Sequence, residues 1–283
     1  MPHMKVENKC LVTEPRIRVE KGNGRIVKAI LLTLILIMSV LSAFFAYTIL
    51  SGQLSDKDFV EPTSQYKPEN STTNVKAAIV DQLSLTFSNQ TFIEATTNAL
   101  VQEGYTVDYF NGERVTVELY RNLPLYEYKL IVFRVHSGYD FLFTGEKYTA
   151  ESHVQEQLTD QVLKVQVSSD AEFYFGIAAG FIRQCMRSNF TDTTVILMGC
   201  NTLCWPDMAY AFIERGASAV VGWTGAVNSS YTDEATSILL AQHVTGKMPL
   251  ENAISETMKE MGIGPHDETR LGYYTREAKP HFP

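Results

Sequence analysis

Apolar residues along this chain fall into three regimes, and each predicts a different kind of element. The first is an unbroken stretch from Ala29 to Leu50, with no charged residue and only the hydroxyls of Thr33, Ser39, Ser42, Tyr47 and Thr48 as polar side chains. Such hydroxyls can bond back to helix carbonyls, and roughly 20 residues rising about 1.5 Å each cover the ~30 Å hydrocarbon core of a bilayer. The pattern therefore predicts one transmembrane helix over residues 29–50. The second regime, Ser51 to Asn74, is rich in Ser, Thr, Pro, Asp and Glu and lacks apolar periodicity. It reads as a stalk.

In the third regime, from Val75 on, short apolar runs of strand character alternate with longer segments of helical period. That alternation predicts an α/β domain over residues 75–262, a mostly parallel sheet covered by helices. Strands are expected at Lys76–Val80, Thr106–Tyr109, Leu130–Val135, Thr194–Met198 and Ala219–Trp223. Helices are expected near Gln90–Glu103, Phe175–Arg187, Pro206–Arg215, Glu234–Thr245 and Leu250–Met261, with Gly104, Gly216, Gly246 and Gly262 just past their ends. The runs Leu130-Ile-Val-Phe and Val195-Ile-Leu-Met are almost wholly apolar, as central strands covered on both faces should be. Between them, Tyr139 to Glu172 is too long for a plain connection and holds a possible strand at Leu163–Val167, so it reads as an inserted hairpin or flap. Residues 263–283 form a tail that either covers the sheet or hangs free.

Charge gives the apolar run a direction. Residues 1–28 carry Lys5, Lys9, Arg16, Arg18, Lys21, Arg25 and Lys28 against three acids, whereas the residues just after the run are mostly acidic or neutral. By the positive-inside rule the leader stays cytoplasmic, the helix is a signal anchor in the cell membrane, and the rest lies outside. A cleaved signal peptide, with Val40 and Ser42 as small residues before the cut, is the rival reading. The long leader and the length of the run count against it. Four Asn-x-Ser/Thr acceptors, Asn70, Asn89, Asn189 and Asn228, fit an outward domain. Setting the leader aside, 17 basic residues face 29 acidic ones, a balance of −12 that disfavours nucleic acid as a partner.

Chemistry is expected where parallel strands deliver side chains, at their carboxyl ends. His136 follows one central strand and Cys200 the other. An imidazole can take the proton of a thiol, and the thiolate can attack a carbonyl whose oxyanion is held by backbone N–H groups, here near Gly138 and Cys200. Taken singly, His136 reads better as a histidine capping a strand end and Cys200 as a buried cysteine under a loop; their joint placement at strand ends is what points to chemistry. No phosphate loop, His-x-x-x-His pair or Gly-x-Ser-x-Gly elbow occurs, and His153, His243 and His266 are scattered, so neither metal nor cofactor is expected.

The segments Phe133-Arg-Val-His136-Ser-Gly138 and Val195-Ile-Leu-Met-Gly-Cys200-Asn-Thr202 resemble the caspase-like clan of cysteine peptidases, in which a strand ending in His-Gly precedes one ending in a small residue and Cys. The likeness leans toward the CHAT and gingipain-type branches. The stretch Met208 to Trp223 resembles their helix, Gly-Ala turn and following strand, and Asp233–Thr236 and Gly246–Ala253 are similar to their closing helices. The resemblance covers roughly Val75 to Met261. It implies a caspase-like α/β/α sandwich, with Cys200 as nucleophile, His136 as general base, and Gly138 and the Cys200 amide at the oxyanion site. Peptide or protein is the implied substrate. One departure stands out: in the family glycine directly follows the histidine, whereas here Ser137 intervenes. Aligning Ser137-Gly138 with the Ser-Gly that precedes the histidine in some relatives would put Tyr139 in the catalytic place. That leaves a second expectation, an inactive domain serving as a binding or assembly module. A third, a flavodoxin-like domain binding a small ligand, calls for phosphate or ring contacts that the sequence lacks.

Of the four cysteines, Cys10 lies in the leader and Cys185, Cys200 and Cys204 beyond the anchor. An odd number of outward thiols leaves at least one unpaired. Either a Cys185–Cys204 disulfide forms, leaving Cys200 free, or all three stay reduced.

Overall fold

The fold was analysed in a computed structural model. The structure describes Thr33, residues 37–40, Ser42, and residues 59–68, 75–262 and 269–276. The chain divides into two units, Met1–Asp56 and Lys57–Pro283. In the first, Thr33, residues 37–40 and Ser42 are helical, and the Ser42 hydroxyl donates to the Ser39 carbonyl at 2.9 Å. Among the described residues no helix is long and apolar enough to cross a membrane, and most of the run expected to do so lies outside them.

The second unit is built on a seven-stranded sheet. Its strands are β1 (Ser64–Tyr66), β2 (Lys76–Asp81), β3 (Thr106–Asn111), β4 (Leu130–Arg134), β8 (Thr193–Leu197), β9 (Ala217–Trp223) and β10 (Leu271–Thr275), in the order β1-β3-β2-β4-β8-β9-β10. The five inner strands are parallel, and β1 and β10 close the two edges antiparallel. Five strands expected from the sequence are thus present within two residues at each end. The two edge strands were not expected. β1 falls inside the stretch read as stalk, and β10 inside the tail, so residues 64–66 and 271–275 belong to the domain rather than to linkers. Their sequences, Ser-Gln-Tyr and Leu-Gly-Tyr-Tyr-Thr, are too short or too mixed to stand out from polar surroundings.

Helices lie on both faces: α1 (Gln90–Gln102), α2 (Val117–Asn122), α4 (Ala179–Cys185), α5 (Asp207–Glu214), α6 (Ser229–Leu240) and α7 (Leu250–Met261), with a short α3 (Val154–Leu158) in the insertion. The two-residue period of a strand sorts the core into two layers. Ala78, Val80, Ile131, Phe133, Val195 and Leu197 pack with α2, α4 and α5, while Ala77, Ile79, Leu130, Val132, Ile196 and Met198 pack with α1, α6 and α7. Side-chain caps set the starts: Asn89 accepts from Phe92 N–H, Thr116 from Leu119 N–H and Asn228 from Tyr231 N–H. Gly216 ends α5 at φ +102°, where a Cβ would overlap the Phe190 carbonyl, so only glycine fits that turn. Gly246, by contrast, stays at φ −76° because a π-helical turn, Ala241–Thr245, follows α6 instead of a sharp stop.

The insertion is larger than a hairpin. β5 (Phe141–Lys147), β6 (Val162–Val165) and β7 (Tyr174–Ala178) form a three-stranded antiparallel sheet in the order β5-β7-β6. This corrects the helix expected over Phe175–Arg187: its first part, Phe175–Ala178, is strand, and only Ala179–Cys185 is helical. β7 pairs on both sides and is buried, so it reads as a continuous apolar run that periodicity cannot distinguish from a buried helix.

Candidate functional site

β4 and β8 are neighbours in the parallel sheet, and Phe133 pairs with Leu197. His136 and Cys200 each lie three residues past that matched pair, so the two chain ends leave the same edge side by side. Both residues line one cavity of about 250 Å³. Its other walls are Leu83 and Phe87 from the loop after β2, Val135, Met198 and Gly199 from the two strand ends, and Val227, Asn228, Ser229 and Thr232 from the approach to α6. Tyr139, the alternative to His136 in the catalytic place, is 55% exposed and is not among the lining residues.

Several contacts hold the imidazole. The His136 backbone N–H donates to Gln82 Oε1 at 3.0 Å, the ring meets Phe87 and Phe143 edge-on at 6.0 and 5.7 Å between centroids, and Nε2 lies 3.4 Å from Thr86 Oγ1. Burial, aided by the positive charge of Arg134, pushes the imidazole below its ordinary pKa. The ring is therefore uncharged at neutral pH and able to accept a proton.

The Cys200 thiol donates to the Val227 carbonyl at 3.2 Å, and its sulfur accepts the Val227 N–H at 3.4 Å. Ser137, which stands between His136 and Gly138, has a definite role. Its hydroxyl donates to the Cys200 carbonyl at 2.7 Å and so ties the end of the histidine strand to the backbone of the cysteine. The Gly138 amide donates to the Phe141 carbonyl at 3.0 Å, closing the turn that leads into β5. In this conformation the expected oxyanion donor is engaged within its own turn.

Beneath the cavity lies a buried charge cluster that sequence reasoning missed. Arg134, 1% exposed, donates from Nε to Asp233 Oδ1 at 2.7 Å, from Nη1 to Asp81 Oδ1 at 2.9 Å, and from Nη2 to Asp233 Oδ2 and the Phe87 carbonyl at 2.9 and 2.8 Å. Asp81 also accepts from Tyr109 and from the Ser84 amide, and Asp233 from the Asn89 side chain. One guanidinium thus ties the end of β2 to two of the elements that wall the cavity, the loop carrying Phe87 and α6. The signal was present in the sequence: a lone arginine in an apolar central strand must find buried partners.

Of the two thiol states the sequence leaves open, the structure has the reduced one: Cys185, Cys200 and Cys204 are all free thiols. Cys185, at the end of α4, donates to Gln161 Oε1 at 2.6 Å, and Cys204 is exposed in the turn after β8. Among the described residues no group of three or more His, Cys, Asp or Glu side chains could hold a metal ion.

No family model and no curated protein matches the chain. Among solved structures the chain is similar to gingipain R, an Arg-specific cysteine proteinase, with 13% identity and a TM-score of 0.40. That match covers 69% of this chain and 45% of gingipain R, so the chain spans less than half the length of that structure.

Proposed function

We propose that the Lys57–Pro283 unit is a thiol hydrolase of the caspase-like type that cleaves peptide bonds, with Cys200 as nucleophile and His136 as general base. The observation that carries this reading is the matched exit of the two residues from adjacent parallel strands into one cavity. In the reaction the Cys200 proton passes to the neutral imidazole as sulfur attacks the carbonyl carbon. The tetrahedral oxyanion collapses to a thioester, the amine leaves with the imidazolium proton, and water releases the acid. The Cys200 amide is assigned as an oxyanion donor, and Gly138 joins it once substrate displaces the Phe141 carbonyl.

The thiol must first leave Val227, and this bonded state is what favours a second reading, a binding module without catalysis. The two separate in one experiment. Incubating the full chain with a mixture of unfolded proteins should generate new N-termini whose rate falls at least about a thousandfold in Cys200→Ala and in His136→Ala. Rates unchanged by either substitution would refute the hydrolase.

We further propose that residues 29–50 anchor this unit outside the cell membrane, the basic leader remaining inside. Support comes from the charge-free run and the asymmetry of its flanks. Protease added to intact cells should digest the Lys57–Pro283 unit and spare an N-terminal tag. A protected unit would contradict the assignment. Of the four glycan acceptors, Asn189 is exposed, whereas the Asn89 side chain is held by Phe92 N–H and Asp233. A glycan on Asn89 would collide with those contacts.

A further inference from the structure

Resting on the hydrolase reading, we infer that the cavity beside Cys200 and His136 selects an uncharged, apolar side chain on the residue whose carbonyl is attacked. Five lining residues, Leu83, Phe87, Val135, Met198 and Val227, are hydrocarbon or thioether, and no Asp, Glu, Lys or Arg side chain lines the cavity. Two polar groups of the lining, the Thr232 hydroxyl and the Asn228 side-chain oxygen, are already bonded within the protein. The Thr232 hydroxyl accepts the Trp223 indole N–H at 2.9 Å and donates to the Met198 carbonyl at 2.9 Å. Asn228 Oδ1 accepts the Tyr231 amide at 2.8 Å and the Ser230 hydroxyl at 2.9 Å.

Nearby charges do not change this balance. Arg134, Asp81 and Asp233 lie against the cavity walls, yet they are bonded to one another with side chains 1%, 1% and 5% exposed. An arginine, lysine, aspartate or glutamate side chain entering the cavity would lose its water and meet no opposite charge, a cost that apolar side chains escape. Phe87, 53% exposed and edge-on to the His136 ring, extends apolar surface to the cavity mouth. A leucine, methionine or norleucine side chain fits within the cavity of about 250 Å³ and matches its apolar lining.

Peptide aldehydes test this directly. The thiol adds to the aldehyde carbon, the C–S bond forms as the carbonyl π bond breaks, and the thiol proton ends on oxygen, so no co-reactant is needed. Acetyl-leucinal, acetyl-argininal and acetyl-aspartinal would be titrated by calorimetry into the full-length chain in detergent, into Cys200→Ala, and into Val227→Asp. Leucinal should bind the parent chain at least about tenfold tighter than the two charged aldehydes. Val227→Asp, which adds a carboxylate to the wall, should shift the preference toward argininal. If argininal or aspartinal binds the parent as well as leucinal, or if leucinal does not bind, the inference is overturned. Leucinal preference that persists undiminished in Cys200→Ala would uphold the apolar selectivity and overturn the nucleophile instead.

Discussion

Arg134→Met is expected to destabilise the Lys57–Pro283 unit by about 3–5 kcal/mol, the cost of leaving buried charges without their partner. Asp81 and Asp233 each lose an ion pair at 2.9 and 2.7 Å, and the Phe87 carbonyl loses its donor. Methionine fills similar volume, so the loss comes from charge rather than from a cavity. Combining it with Asp81→Asn and Asp233→Asn should recover part of the stability, because no lone carboxylate then remains buried. Urea unfolding of the parent chain, the single variant and the triple variant measures both steps. A single-mutant change under about 1 kcal/mol would show that the cluster is hydrated rather than sealed. The functional consequence follows from what the arginine joins: Leu83, Phe87 and Thr232 would no longer hold fixed positions around His136 and Cys200.

Gly199→Ala is the second large effect. A Cβ at residue 199 would overlap the Ser137 hydroxyl and lie 2.6 Å from the Val135 carbonyl, inside van der Waals contact with backbone that cannot rotate away. The ends of β4 and β8 must part, and the Ser137 to Cys200 bond must break with them. Forcing in a methyl of this kind costs about 1–3 kcal/mol, and here the strain falls on the two residues of the proposed dyad. The expected result is a folded protein with a modestly lowered melting temperature and thiol reactivity at residue 200 reduced to that of an ordinary cysteine. Unchanged reactivity in a folded Gly199→Ala protein would mean that the two strand ends need not touch.

The inner sheet was legible because its physics is local. A strand buried on both faces is apolar throughout, a helix on its flank repeats every 3.6 residues, and Asn or Gly marks the ends. That is why β2, β3, β4, β8 and β9 appear where the pattern places them, and why the convergence of His136 and Cys200 could be anticipated from two strand ends. What remained hidden depends on distant partners. β1 and β10 become strands only because β3 and β9 offer them open edges, and no property of Ser64–Tyr66 or Leu271–Thr275 alone demands it. β7 cannot be told from a helix by pattern alone, because its Gly-Ile-Ala run carries no period of its own. The roles of Ser137 and Val227 are set by backbone geometry at contacts far apart in sequence, 63 and 27 residues from Cys200. Arg134 is the exception, a charge in an apolar strand whose need for buried partners was readable before any fold was known.

The proposed pairing of His136 with Cys200 is tested most directly by the pH dependence of iodoacetamide labelling at Cys185, Cys200 and Cys204. Cys204 is exposed and serves as the unassisted reference, while burial raises the Cys185 thiol and makes it the slow one. A base must be uncharged to accept a proton, and burial with the Arg134 charge lowers the His136 imidazole, so assistance should persist below the usual imidazole range and vanish only as pH falls through that lowered value. The account predicts that Cys200 is labelled fastest at neutral pH, and that His136→Ala slows it to the Cys204 rate and abolishes the acid limb. Slow labelling of Cys200 with the pH profile of Cys204, unaltered by His136→Ala, would contradict it.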